Sequence, residues 1–363
     1  MYLFIKTIRY FTRSLLPDQA RNCNSTRCVL YCPADRREVL SVWSLTGGAE
    51  IKMELTGNTF FFPWEVSLEE WLQNTLGSTG TGIISFFSAF GEEIILILVL
   101  GVLYWWFDKK TGKRVGLSAL AAMTWNAEVK NIFLRRRPYM DHEGIKILRV
   151  VEPSADPMDI AAQGYSFPSG HSANASSVYA SLAFALKKKW MTALAVILPL
   201  LVGCSRVVVG AHYPTDVLVG WTLGLLAVGA VSLLSSRVKN ELVLYGILLL
   251  TAVPGFFFCQ SDDYFTSVGL LIGFMAGTLL EERKVSFENT RNILSGILRV
   301  VGGIVLYFLL NKLLKMPFSN DFLNGGSTGA HLIRTARYAV IAFIEFGIYP
   351  MAFAPIERKF IKK

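Results

Sequence analysis

The chain has 363 residues, 52% hydrophobic and 17% charged, with a mean hydropathy of +0.42. That balance excludes an ordinary soluble domain and fits a protein that crosses a membrane many times. The net charge of +9 would raise nucleic acid as a partner of a soluble protein. Here most of the excess lies in short loops between apolar runs, where retention of Lys and Arg on the cytoplasmic side accounts for it more simply.

In chain order, residues 1–52 come first, basic and polar, with no apolar run near the ~20 residues a span needs. Lys6, Arg9 and Arg13 interrupt the only candidate signal stretch. Residues 1–52 are expected to be a disordered leader or to lie upstream of a true start at Met53, and the second is favoured. Cys23, Cys28 and Cys32 fall here as C-x4-C-x3-C. That spacing lacks a fourth ligand, so incidental thiols are expected and no metal. Cys204 and Cys259 sit in or beside apolar runs. Residues 53–80 carry FFFPWEVSLEEWLQNTL (60–76), which reads as an aromatic, acidic helix lying at the membrane interface.

About nine apolar segments of spanning length follow, at 83–107, 115–134, 171–187, 190–209, 216–235, 241–258, 265–281, 291–311 and 335–354. Lipid offers backbone groups no partner, so the expected fold is all-α, a polytopic membrane helical bundle. Odd-numbered loops hold Lys109, Lys110, Lys113, Arg114, Lys187, Lys188, Lys189, Arg237, Lys239, Arg283 and Lys284, and the tail holds Arg358, Lys359, Lys362 and Lys363. That side is expected to be cytoplasmic, with the N-terminus outside and the C-terminus inside. The other side holds a basic cluster at 130–137 and Arg206. Beyond these it carries Lys146, Arg149, Lys312, Lys315, Arg334 and Arg337.

Three polar clusters sit at helix ends. Lys130 opens KNIFLRRRP, which closes on Arg137-Pro138. FPSGH (167–171) opens the third span. SRVVVGAHYPTD runs from Ser205-Arg206 through His212 to Asp216. The alternation of helix directions puts all three on the extracytoplasmic face. Lys130, Arg137 and Arg206 supply cations suited to phosphate oxygens. Ser169 offers a hydroxyl, and Gly170 opens bare backbone N–H groups at a helix start. Together they form a cradle for a tetrahedral oxyanion. His212 and Asp216 lie one helical turn apart, so the carboxylate can aim the imidazole as a nucleophile. His171, from another helix, can protonate the leaving oxygen. Arg135 and Arg136 read as interfacial anchors. Glu128 reads either as functional or as a partner for Lys130 or a neighbouring Arg. Glu92 and Glu93 can be solvated or face the site. His142 and His331 have no motif around them.

K-x6-RP, PSGH and SR-x5-H-x3-D together resemble the type 2 phosphatidic acid phosphatase superfamily, which includes lipid phosphate phosphatases, undecaprenyl pyrophosphate phosphatases, glucose-6-phosphatase and soluble vanadium haloperoxidases. The signature covers residues 130–216 with no departure at a motif position. The resemblance implies a core bundle of the acid phosphatase and vanadium haloperoxidase type, no cofactor and hydrolysis of a phosphate monoester or pyrophosphate. It implies His212 as nucleophile, Asp216 as its orienter and His171 as acid, with Lys130, Arg137, Ser169, Gly170 and Arg206 on the phosphate.

The expected division is a phosphatase core over 81–236, followed at 237–363 by further spans and a basic tail. The expected partners are a phosphorylated lipid and the surrounding membrane lipids, not nucleic acid. A sugar-phosphate phosphatase of the glucose-6-phosphatase type and a non-hydrolytic lipid-phosphate carrier are the alternatives. A haloperoxidase is disfavoured by the spans. The loop 139–166, between two motifs, reads as a lid or headgroup selector.

Overall fold

The computed structural model describes residues 57–360. The leader reading of 1–52 and its cysteine cluster lie outside the described residues. Among the described residues the regular structure is helical, apart from one isolated bridge between Asn58 and Arg135.

Helix α1 runs Pro63–Phe86. Pro63 suits the first helical position, where its missing N–H is no loss, and Glu65 reaches back to accept the Phe62 N–H at 2.9 Å. Gly77, at φ +58°, breaks the helix, so the helix expected over 60–76 occupies the stretch before that break. A short 3-10 turn, Phe87–Gly91, follows. The chain then bends by 48° into α2, Glu93–Phe107. The first expected span is therefore a broken one.

Helix α3, Lys109–Phe133, is capped by Asp108, whose Oδ2 accepts from Thr111 N at 3.1 Å and Thr111 Oγ1 at 2.6 Å. It stops at Leu134, which adopts the left-handed conformation at φ +52°. Beyond it Asn58 clamps the chain: its N–H donates to Leu134 O at 2.7 Å and its carbonyl accepts from Arg136 N at 2.9 Å. Helices α4 (Gly170–Leu186), α5 (Lys189–Val208) and α6 (Pro214–Arg237) complete the motif-bearing part. They are followed by α7 (Glu241–Phe257), α8 (Asp262–Val285), α9 (Ile293–Lys315) and α10 (Thr328–Pro355).

These helices fall where the apolar runs were expected, but fewer satisfy the requirements for a span. By length and composition α5, α6, α8, α9 and α10 can cross a membrane, and the bent α1–α2 pair makes a sixth. Helix α4 has 17 residues, α7 is short, and α3 begins in KKTGKR and ends in NAEVKNIF. The count of nine is therefore not met by these helices; five or six is what length and composition give.

Small residues set the helix spacing, as expected where lipid removes the hydrophobic drive. On α6, a Cβ at Gly220 would lie 2.5 Å from Ser169 O, and one at Gly224 2.0 Å from Ser176 Oγ. Helix α4 can approach only because both are glycine. Gly269, Gly273 and Gly277 repeat this on α8 against α10, where added Cβ atoms would meet Thr335 O at 2.4 Å and Ala339 O at 2.1 Å. A shared apolar core joins the two halves. Leu117 and Leu120 of α3 pack with Val231 of α6, Leu248 of α7, Leu271 and Phe274 of α8 and Ala342 of α10.

Candidate active site

The start of α4 is fixed by Ser169, whose Oγ accepts from Ser172 Oγ at 2.9 Å. Helix α6 starts at Pro214, and Asp216 reaches back to accept the Tyr213 N–H at 2.9 Å. The two starts are tied directly, since Ser169 N–H donates to Asp216 O at 3.0 Å. Around this joint the structure brings together the expected residues. Lys130, Arg137, Ser169, Arg206, His212 and Asp216 are all buried. His171 stands in the first turn of α4, within electrostatic reach of Arg206, His212, Arg137 and Lys130. Gly170 is beside it, facing Asn126 with room for no more than ordinary contact.

The three cations are not neutralised alike. Arg137 directs its donors to carbonyls: Nε to Gln163 O at 3.0 Å and Nη1 to Ala211 O at 2.9 Å. Arg206 donates from Nη1 to Ser88 Oγ at 3.3 Å, and its Nε is buried without a partner. Among the described residues neither forms an ion pair. Lys130 does, with Asp263 at 3.5 Å. Buried, unneutralised guanidinium groups are costly to maintain.

His212 Nε2 lies 3.5 Å from Arg137 Nη1, which can only donate. That contact favours the tautomer with the lone pair on Nε2 and the proton on Nδ1, which lies 3.6 Å from Asp216 Oδ2. That separation is beyond a hydrogen bond, as resting catalytic contacts often are. Burial, then Arg137, Arg206 and Lys130, hold the His212 imidazole well below its usual range. It is a neutral base aimed into a positive cradle.

Arg135 corrects the sequence reading. It is not an interfacial anchor but one of the most buried side chains, 1% exposed. Its Nη1 donates to Asp216 Oδ1 at 2.6 Å and its Nη2 to Glu65 Oε2 at 2.8 Å. Its guanidinium lies 3.7 Å from the Tyr213 ring centroid. Glu65, from α1, also accepts from Thr215 Oγ1 at 2.6 Å. Ser166 Oγ donates to Asp216 Oδ2. Arg136 pairs with Asp141 at 2.9 Å. Glu128 is not the partner of Lys130; that place is taken by Asp263. Glu92 pairs with Arg149, and Glu93 accepts from Tyr307 at 2.8 Å.

The loop 139–166 is organised by Gln163. Its Oε1 accepts from Val151 N at 2.9 Å, its Nε2 donates to Glu152 O at 2.9 Å, and its carbonyl receives Arg137. Gln163 and Ser166 had no motif to mark them. Glu65 could have been noticed as a carboxylate in an otherwise aromatic entry to a helix.

Residues 112–239 match the family described as PAP2 superfamily. Residues 265–358 match the one described as PAP2 superfamily phosphatase, transmembrane extension. An undecaprenyl-diphosphatase of Sulfolobus acidocaldarius is 30% identical over 175 residues, 48% of this chain and 80% of that protein. A phosphatidylglycerophosphatase B of Bacillus subtilis is 39% identical over 99 residues, 25% of this chain and 48% of that protein. No solved structure matches.

Proposed function

The chain belongs to the PAP2 superfamily of membrane phosphatases, and from that premise we propose that it hydrolyses a lipid phosphate monoester or diphosphate through a phosphohistidine at His212. The lone pair of Nε2 attacks phosphorus, the P–N bond forms, and the bond to the leaving oxygen breaks. Burial and the cations of the cradle hold the His171 imidazole well below its usual range; the negative charge of a bound substrate phosphate offsets them, so that His171 carries a proton and gives it to that oxygen. Water then attacks phosphorus and passes a proton to His171, the P–N bond breaks, and inorganic phosphate leaves. Lys130, Arg137, Arg206, Ser169 and the backbone at Gly170 hold the non-bridging oxygens as charge spreads over them. Asp216 stabilises the positive imidazole of the intermediate, and Arg135, Ser166 and the Tyr213 N–H hold Asp216.

The observation that carries this reading is the placement of His212 Nε2 against the Arg137 guanidinium, one of two buried guanidinium groups of the cradle that form no ion pair among the described residues. The relatives are named for an undecaprenyl diphosphate and for phosphatidylglycerophosphate, which makes those two lipids the first substrates to offer. The loop bias of Lys and Arg supports a site on the extracytoplasmic face and a C-terminus inside. A sugar phosphate in the same panel covers the soluble-substrate alternative.

The test is phosphate release by the purified full chain in detergent with EDTA present, beside His212→Ala. Release from a lipid, lost in the variant by at least about a thousandfold, is expected of a removed nucleophile. Full activity in the variant, or binding of phosphate without release from any substrate, overturns the mechanism.

A further inference from the structure

Away from the catalytic cradle, α9 and α10 carry a second arrangement of charge over an apolar space. On α10, Arg337, Ile341 and Glu345 recur every fourth residue and share one face; on α9, Gly303, Tyr307, Asn311 and Lys315 do the same. The two faces meet where Arg337 Nη2 donates to Asn311 Oδ1 at 2.9 Å. One turn deeper, Tyr307 and Ile341 line a cavity of about 90 Å³ shared with Leu96, Val115, Ala119 and Phe274. Glu93 and Glu345 also line it, and Tyr307 Oη donates to Glu93 Oε1 at 2.8 Å.

Arg337 is 5% exposed and its Nε has no partner. Its known partner is a neutral amide. Nearby Arg334 is neutralised by Asp262 at 2.6 Å. Lys315, exposed, lies in the electrostatic neighbourhood of both arginines. Of the acidic groups on this side, Asp262 is held by Arg334 and Glu93 by Tyr307, while Glu345, eight positions along α10 from Arg337, lines the cavity with both carboxylate oxygens buried and without a hydrogen-bond partner among the described residues. Among the described residues neither Arg337 nor Lys315 forms an ion pair, and the two lie over a cavity whose other walls are apolar. Lys315, Arg334 and Arg337 are among the basic residues that depart from the loop charge bias.

We propose that this arrangement binds a phosphate-bearing lipid distinct from the one under hydrolysis, with its phosphate on Arg337 and Lys315 and part of one hydrocarbon chain in the cavity between α2, α3, α9 and α10. Guanidinium suits phosphate oxygens in a bidentate fork, and basic side chains at a membrane surface collect anionic lipid. A cavity of ~150 Å³ holds a benzene ring, so this one seats a few carbons, with the rest of the chain lying along the lipid-facing surface. The chemistry is shared by a bulk anionic phosphodiester and by a phosphate monoester.

The experiment is lipid binding by native mass spectrometry on the full chain in detergent, in a His212→Ala background that prevents turnover. The probes are phosphatidylglycerol, phosphatidic acid and phosphatidylcholine. Arg337→Gln should weaken phosphatidylglycerol or phosphatidic acid by about tenfold, as expected for a lost charged hydrogen bond, and leave phosphatidylcholine unchanged. Lys315→Gln, at an exposed position, should weaken the same probes by a smaller factor. Ala119→Leu, which fills the cavity, should weaken them too. Loss for both anionic lipids assigns the site to bulk anionic phospholipid; loss for phosphatidic acid alone assigns it to the monoester. Unchanged binding of both in Arg337→Gln and Lys315→Gln overturns the proposal. Hydrolysis of a short-chain soluble phosphate by Arg337→Gln with His212 intact should match the parent, showing an intact fold.

Discussion

At the scale of single residues, the proposed nucleophile depends on what holds Asp216 beside it. Asp216 is 0% exposed and receives Arg135, Ser166 and a backbone N–H. Arg135→Gln removes the cation from Asp216 while leaving His212 and the cradle in place. A buried charged hydrogen bond is worth about 1.5–3 kcal/mol, so kcat should fall about ten- to a hundredfold with KM little changed. Steady-state kinetics on the preferred substrate decide this, and an unchanged kcat would return Arg135 to a purely structural role. The His212 pKa gives a second expectation. Burial and three cations depress it, so the lone pair survives as pH falls and is lost only when pH drops through the depressed value. The His212 ring should thus stay neutral at pH values below about 6.5, where an unperturbed imidazole takes up its proton. NMR of labelled histidine, assigned against His212→Ala, measures this; titration at or above 6.5 contradicts the electrostatic account.

At the scale of elements, the glycines of α6 decide whether the site exists. A side chain at Gly220 would collide with Ser169 O at 2.5 Å, whereas Gly229 on the same helix has open space around it. Gly220→Leu should lower the thermal midpoint in detergent and abolish activity, because overpacking costs about 1–3 kcal/mol and moves the start of α4. Gly229→Leu should do neither. Equal behaviour of the two variants would refute the close-approach argument. The same contrast shows what could be foreseen from sequence. The motif residues were legible because polar groups at the mouths of apolar helices are expensive and need a reason. Arg135 was not, because an Arg at a span end reads as an anchor whether it faces lipid headgroups or a carboxylate 81 positions away. The break at Glu92 was equally hidden, since the runs on both sides are apolar. Helix α4, read from sequence as a span at 171–187, has 17 residues and is rich in Ser, and it packs among other helices.

At the scale of the molecule, the C-terminal helices are more than lipid-facing bulk. The extension match covers 265–358, and Asp262 and Asp263 open α8 just before it. These adjacent carboxylates face different halves of the protein. Asp262 holds Arg334 of α10 at 2.6 Å, and Asp263 holds Lys130 of the cradle at 3.5 Å. On the proposed mechanism, phosphate entering the cradle competes with Asp263 for the same ammonium. The contest is mild, because the Asp263 side chain is 69% exposed and such pairs are worth about 0.2–1 kcal/mol. Asp263→Asn should therefore lower the inhibition constant of inorganic phosphate by about two- to fivefold. High salt, which screens an exposed pair, should shrink the difference between variant and parent. Inhibition assays at low and high potassium chloride measure both effects. A weaker grip on phosphate in the variant would mean instead that Asp263 positions Lys130 for the substrate. In either case a residue at the threshold of the extension would be setting the affinity of a cradle built from α3 to α6, which couples the two halves through Lys130.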